Sequence, residues 1–291
     1  MNKNVGICTV CQNSLKIKFS KYSEPLNKEF KIFTCNFCGL WQIFPLPQKK
    51  DLVKLYEKNY FSRRTSRGYH NYESEAVKRT IQSTFEKNLK DLHFYSYENQ
   101  LDVQKSAFEI GAAAGYFTEY LKDRGWASSG IDVSGEMTAA AQKRGVPVIH
   151  GDFLLHTFGN NKFDLITLWA TLEHLPDPEK YLHKMSKLLK PQGHIYISTA
   201  HTGFWAKFFG KNWRYLNVPE HVFYFNRHNL QILLKKYDLK IHKSCTYGSG
   251  FTSKPDSSLF YKILKKIFDF SAKRFHSGDM IVIDVIHNSG N

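Results

Sequence analysis

From residue 106 onward the chain alternates strand-like and helix-like segments, and this alternation constrains its fold more than any other feature. "SAFEIG" reads as a strand and "GYFTEYLKDRG" as a helix closed by Gly125. "SSGIDVS" and "VPVIHGD" read as two further strands, with the helix "GEMTAAAQKRG" between them. "KFDLITLWA" is a fourth strand. "DPEKYLHKMSKLLK" is a helix with Asp177 as N-cap and Pro178 at its first position, and "HIYIST" is a fifth strand. The helix "NRHNLQILLKKYD" and the strands "LKIHKSC" and "DMIVIDVI" follow. The pattern predicts an α/β, doubly wound, seven-stranded and mostly parallel sheet with helices on both faces. Such sheets bind ligands beyond the carboxyl ends of their strands, so the loops after the strands should carry the chemistry.

The segment before residue 106 has a different character. Cys8-x2-Cys11 and Cys35-x2-Cys38 stand 23 residues apart, while Cys245 lies far away. No apolar leader precedes them, and the most apolar stretch near the other end, "MIVIDVI", is short and broken by Asp284. The reading is therefore a cytoplasmic protein without a membrane span, in which paired CxxC knuckles hold a structural Zn²⁺ rather than disulfides. Four thiolates close a tetrahedral shell and leave no open position for catalysis. The expected organisation is a zinc-binding module over residues 1–48, a helical linker or cap over 49–105 and the α/β domain over 106–291.

Charge is uneven along the chain. Residues 1–106 carry 18 Lys+Arg against 10 Asp+Glu, residues 107–220 carry 12 against 11, and residues 221–291 carry 11 against 5. Basic flanks around a neutral middle suit a phosphate-bearing substrate, an anionic lipid surface or a nucleic acid. Within 257–275 the stretch "SSLFYKILKKIFDFSAKRF" sets apolar residues at helical spacing among lysines. A basic amphipathic helix of this kind either packs on its own domain or lies on an anionic membrane, giving peripheral contact at the inner face.

The turn after the first predicted strand reads Glu109-Ile110-Gly111-Ala112-Ala113-Ala114-Gly115-Tyr116. A dinucleotide fingerprint needs Gly at 111, 113 and 116, so Ala113 and Tyr116 break it. The turn instead resembles motif I of the S-adenosylmethionine-dependent methyltransferases, an acidic residue followed by G-x-G-x-G, with Ala113 in place of the middle glycine. Asp132 ends the second strand and Gly151-Asp152-Phe153 follow the third. "FDLI", "LEHLPDP" and "LLKPQG" continue the resemblance, which covers residues 106 to about 245. It implies a Rossmann-like class I fold that binds S-adenosylmethionine. Glu109, Gly111, Ala113 and Gly115 would form the cofactor turn, and Asp132 would accept from the ribose hydroxyls. Asp152 would accept from the adenine amine, with Phe153 flanking the ring and Trp169 at the end of the fourth strand.

Two Glu-His pairs are the catalytic candidates, Glu173-His174 in "LWATLEHLPDP" and Glu220-His221 in "NVPEHVFYF". A histidine titrates near neutral pH and suits proton removal from an acceptor. His221 is expected to be the base, with Glu220 orienting it and His174 contributing from the neighbouring loop. The zinc module ahead of such a core resembles sugar C-methyltransferases and, more broadly, zinc-bearing methyltransferases of surface-polysaccharide clusters. Pro219-Glu220-His221-Val222-Phe223-Tyr224 matches the second half of the sugar enzymes' "HEH…Y" motif, with Pro219 departing from its first His. This implies a sugar, sugar nucleotide or other small-molecule glycan acceptor. A second resemblance is to small-RNA 2′-O-methyltransferases, whose metal is held by Glu-x-x-Glu-His and a later His. Glu173, His174 and His221 match it, Ala170 replaces the first Glu, and a nucleic-acid acceptor would follow. A third alternative is a cofactor-binding module without catalysis.

Overall fold

The computed structural model describes residues 6–24, 26–47, 74–102, 104–251 and 257–288. Residues 49–73 of the expected helical linker or cap lie outside them. Among the described residues no helix is long and apolar enough to cross a membrane.

Two sheets organise the chain. The larger draws on β4 (Ser106–Ile110), β5 (Ala127–Asp132), β6 (Val148–His150), β7 (Phe163–Trp169), β8 (Leu189–Ala200), β10 (Leu239–Tyr247) and β11 (Met280–His287). Its strand order is β10-β11-β8-β7-β4-β5-β6. The five strands from β6 to β8 are parallel, whereas β11 runs antiparallel to both β8 and β10. The order reverses between β4 and β7, which places the carboxyl ends of those strands at the switch point where such sheets bind ligands. The strands are long apolar runs because helices cover both faces. Leu165, Ile166, Leu168, Ile195 and Ile197 have no exposed surface at all.

The helices that frame this sheet begin where their capping residues say they should. α3 (Tyr116–Asp123) starts at Gly115, and Ser134 caps α4 (Gly135–Lys143) through Met137 N. Asp177 accepts from Lys180 N at the start of α5 (Pro178–Leu188), as expected. α1 (Glu75–Asp91) and α2 (Phe94–Glu98) belong to this layer too. Phe85 of α1 meets Phe117 of α3 at 4.9 Å and Trp169 of β7 at 5.2 Å. Glu98 of α2 accepts from Trp126 Nε1 at 2.6 Å and pairs with Arg124 and Lys105. The division expected at residue 105 therefore runs through packed contacts.

The smaller sheet is antiparallel, in the order β1 (Leu15–Ser23), β2 (Lys28–Cys35), β3 (Trp41–Ile43) and β9 (Phe223–Tyr224). Its fourth strand comes from the stretch "NVPEHVFYF", far along the chain. Trp41 opposes Tyr224 and Gln42 opposes Phe223. β9 is buried on both faces, which explains its unbroken aromatic run. Phe223 and Phe225 enter the main core, while Tyr224 enters a second cluster with Trp41 and Trp213. The segment before it carries the short α6 (Phe204–Phe209). α7 (Arg227–Lys235) follows, its N-terminus closed by reciprocal Asn226–Asn229 bonds. After β10 come α8 (Leu259–Arg274), which lies on the surface, and β11.

Glu109 shows how the sheet positions the first turn. Its Oε2 accepts from Thr118 N at 3.0 Å and Thr118 Oγ1 at 2.6 Å, bracing α3 against β4. Burial pushes its carboxyl up to about 8. A folded-state value above the unfolded one means that this group's contribution is intact below about pH 4.5 and is lost as pH rises through about 8. Glu109→Gln keeps an acceptor for Thr118 and removes the titration. Thermal melts from pH 5 to 9 are expected to show a flatter pH dependence for Glu109→Gln than for the parent, with the largest gain above about pH 8. Parallel curves for the two proteins would refute burial of an ionisable Glu109 as a source of pH sensitivity.

Candidate active site

The loops at the carboxyl ends of β4, β5 and β7 meet at the switch point, where sheets of this kind form their ligand cleft. Gly111 and Gly115 take φ of +74° and +72°. A Cβ on Gly111 would lie 2.5 Å from Thr171 Oγ1, and one on Gly115 2.8 Å from Val148, so both positions need glycine for space as well as for φ. Ala113 and Ala170 also adopt left-handed φ, +46° and +49°. Alanine is disfavoured there by about 1–2 kcal/mol, and strain of this kind concentrates at functional sites. The sequence showed that Ala113 replaces a glycine; the structure adds that it keeps a glycine's conformation.

Asp132 spans this turn. Its Oδ2 accepts from Ala113 N at 2.7 Å and its Oδ1 from Ser134 N at 2.8 Å. An ionised carboxylate offers about four acceptor positions, so two remain for ribose hydroxyls. Burial raises its pKa, and the two backbone donors oppose that shift. Asp152 is half-buried, with Oδ1 accepting from Leu154 N at 2.8 Å. The Trp169 indole N–H is buried and has no hydrogen-bond partner. A glycine cradle, an acid with spare acceptor capacity and an orphaned buried donor fit a nucleoside-type cofactor.

Two of the expected cofactor contacts take a different form. Phe153, expected to flank the adenine, is only 2% exposed. Its ring is committed to the core, 5.5 Å from Tyr181 in a stacked arrangement and close to Phe108 and Phe158. Glu109 accepts both Thr118 bonds through Oε2 and so braces the turn from behind.

Next to this cleft, β7 runs into a 3₁₀ turn, Leu172–His174. Glu173 is 1% exposed and accepts from Thr199 Oγ1 at 2.8 Å and Ala200 N at 3.3 Å, both on β8. His174 meets His221 edge to face, with centroids 4.6 Å apart. One ligating atom each of Glu173, His174 and His221 lies within 4.8 Å of the others. This differs from the expected pairing within "PEH". The carboxylate grouped with His221 is Glu173, reached through the fold, whereas Glu220 is buried outside the group. Glu220 and His221 sit at the end of a turn closed by His221 N donating to the Asn217 carbonyl at 2.8 Å. The backbone holds the arrangement: Val222 N donates to the Glu173 carbonyl at 2.9 Å, and Ile43 N donates to the Val222 carbonyl at 3.0 Å.

Sequence reasoning missed three supports of this site. Thr199 fixes the Glu173 carboxylate. His201 is buried at the end of β8, with Nδ1 bonded to the Gly278 carbonyl at 2.8 Å; burial lowers its pKa and keeps it neutral. Asp279 accepts from Trp213 Nε1 at 2.7 Å. A lone His or Asp at a strand end carries no sequence signal for such a role.

The four cysteines of the N-terminal module converge, with Sγ atoms within 4.8 Å of one another. Cys8 and Cys38 sulfurs lie 3.6 Å apart, Cys11 and Cys35 sulfurs 3.4 Å apart. Four sulfurs at this separation fit a tetrahedral Zn²⁺. The Cys38 carbonyl accepts from Asn226 Nδ2 at 3.2 Å and Asn229 Nδ2 at 3.5 Å, tying the knuckle to the cap of α7. Elemental analysis is expected to give about one Zn²⁺ per chain, and Cys38→Ser to lose it and to lower Tm by roughly 5 °C or more. An unchanged Tm in a zinc-free protein would exclude the site.

A family model described as a methyltransferase domain matches residues 77–244, more than half of the chain. The ubiquinone biosynthesis O-methyltransferase of Photorhabdus laumondii is 28% identical over 102 residues, 33% of this chain and 42% of the relative. That of Coxiella burnetii is 28% identical over 116 residues, 38% of this chain and 50% of the relative. The chain thus spans about half the length of the curated relatives it matches. Among solved structures, a chain from the Haloferax volcanii complex of the Trm112 methyltransferase activator with a methyltransferase aligns with a TM-score of 0.53. It is 13% identical, and the match covers 74% of this chain and 96% of that one. The PH0226 protein of Pyrococcus horikoshii aligns with a TM-score of 0.50 and 12% identity, covering 81% of this chain and 98% of that one. These two likenesses bear on the fold, and they agree with its seven-stranded sheet. With the glycine cradle, Asp132 and the family match over its core, the chain belongs to the methyltransferase-domain family and has its Rossmann-like class I fold.

Proposed function

We propose that this methyltransferase acts on a hydroxyl of a small-molecule acceptor, with His221 taking the hydroxyl proton. The observation that carries the reading is the convergence of Glu173, His174 and His221 beside the cofactor cleft. S-adenosylmethionine, when bound, supplies an electrophilic methyl group. Gly111, Ala113 and Gly115 let the backbone approach it, Asp132 holds the ribose and Asp152 the adenine amine. Trp169 offers its indole N–H. His221 accepts the proton as the acceptor oxygen is methylated. His174 keeps its ring in place, and Glu173, fixed by Thr199 and Ala200, stabilises the charge that develops on the histidines.

The relatives named for ubiquinone biosynthesis O-methylation support an oxygen acceptor. The sugar or glycan acceptor expected from the zinc module finds no support in them. A role for the zinc module in shaping the acceptor site is supported by the pairing of β3 with β9, two residues beyond His221.

A second reading rests on the same three side chains. Two histidines and a carboxylate with ligating atoms this close also satisfy the donor set of a divalent cation. In that case His221 and His174 are ligands and the acceptor oxygen is activated by the ion.

One experiment separates the two. His221→Ala is expected to lower turnover by about 10²–10⁴ while S-adenosylmethionine affinity, measured by calorimetry, stays within about twofold. Turnover of the parent after brief EDTA treatment that leaves the knuckle zinc in place should be unchanged. Loss on chelation and recovery with Mn²⁺ or Mg²⁺ would replace the base with the cation. Near-parental turnover of His221→Ala would end both readings.

A further inference from the structure

α8 is a surface helix with its apolar side turned outward. Ala272 is its one buried residue, whereas Leu259 and Phe260 are 75% and 76% exposed and Phe270 is 71% exposed. Ile263 and Ile267 continue the same exposed side. The patch extends onto α6. Phe268 stacks on Phe251 at 5.2 Å and meets Trp205 edge to face at 5.7 Å, joining the two helices. Phe204 and Phe208, stacked at 6.1 Å, are exposed beside them. Contiguous exposed apolar surface of this extent marks an interaction site.

The charges around the patch identify its occupant. α8 carries Lys262, Lys265, Lys266, Lys273 and Arg274 against Asp269 alone, and that acid is engaged by Lys265 and by Ser249 Oγ. α6 adds Lys207. A second copy of the chain would bring the same basic rim against this one. Residues 49–73, outside the described structure, carry seven Lys+Arg and three Asp+Glu, so they too are the wrong sign. An apolar face ringed by cations matches an anionic lipid surface, which takes the aromatic side chains into the acyl boundary and the lysines at the headgroups. Nucleic acid would satisfy the cations and leave the aromatic face in water.

Position adds a further point. α8 lies in the connection to β11, whose first residue, Met280, pairs with Ala200 at the carboxyl end of β8. Ala200 N itself donates to Glu173. The patch and the candidate active site therefore share one edge of the sheet.

We propose that α6 and α8 form a docking surface for anionic membranes. Docking brings the catalytic edge of the sheet to the lipid surface, where an amphiphilic acceptor would reach it.

The test is co-sedimentation of the full chain with vesicles of phosphatidylglycerol and phosphatidylcholine, against vesicles of phosphatidylcholine alone. Strong binding is expected only to the anionic vesicles, and it should fall in about 1 M salt, where screening acts within about 3 Å. Phe260→Ser with Phe270→Ser, and separately Lys262→Glu with Lys266→Glu, should each weaken it by at least about tenfold. All four positions lie on the helix surface, so unchanged melting curves will verify that folding is intact. Equal sedimentation with both vesicle types, or binding untouched by the serine pair, would overturn the proposal. So would sedimentation-velocity evidence of a dimer that the serine pair dissolves without any vesicle binding, or retention on RNA in place of vesicles. Vesicle binding is read without catalysis, so its outcome is independent of the roles given to His174 and His221.

Discussion

The backbone of Val222 is the point on which the two sheets and the cluster of Glu173, His174 and His221 depend. Its N–H donates to the carbonyl of Glu173 and its C=O accepts from Ile43, so one peptide joins the turn after β7 to the edge of the cysteine module. Because side chains alternate along a strand, this register also sorts Phe223, Tyr224 and Phe225 between two cores. A slip by one residue would move Tyr224 into the main core and swing His221 away from His174. The cysteine module is therefore part of the framework of the site, since its β3 supplies the strand against which the histidine-bearing loop is registered. Asn226 and Asn229, reaching back to the Cys38 carbonyl, fix the other side of the same loop.

The cofactor cleft follows a different physical rule. It is defined by backbone conformation more than by side chains. Two glycines and two alanines hold positive φ within it, and Asp132 pins the turn by accepting from Ala113. The alanines accept conformational strain that glycine would avoid, and they reduce the freedom of the unfolded chain in exchange. The turn is held by its own hydrogen bonds, which limits the ordering that binding must bring about.

Most of the larger sheet was legible because each segment carries its own period and its own punctuation. Asp177-Pro178 announced α5, and Gly125 closed the turn after α3. The cysteine cluster was legible from spacing alone. What escaped was contact between distant segments. β9 is two residues long and has no periodicity to detect, and its partner lies at Trp41–Ile43. For the same reason the carboxylate beside His221 was sought in the adjacent Glu220, when the fold delivers Glu173. The packing of Phe153 was not legible because an aromatic residue next to a ligand-binding acid can face either way, and Tyr181 offers its ring a stacking partner in the core. The amphipathic pattern of α8 was visible, but whether its apolar side met protein or solvent could be decided only by burial.

The pairing of β3 with β9 has a consequence for the order in which the chain is made. Synthesis completes Trp41–Ile43 long before Phe223–Tyr224 emerges, so β3 must wait with an open edge while the five parallel strands of the larger sheet are produced. An unpaired, aromatic-rich strand edge is a template for pairing with other nascent chains. Early metal capture by the four cysteines would keep the three-stranded precursor folded but would leave that edge exposed. On the ribosome, the hazardous interval closes only when the histidine loop arrives, so assembly of the Glu173, His174 and His221 cluster and protection of the chain from misassociation are one event.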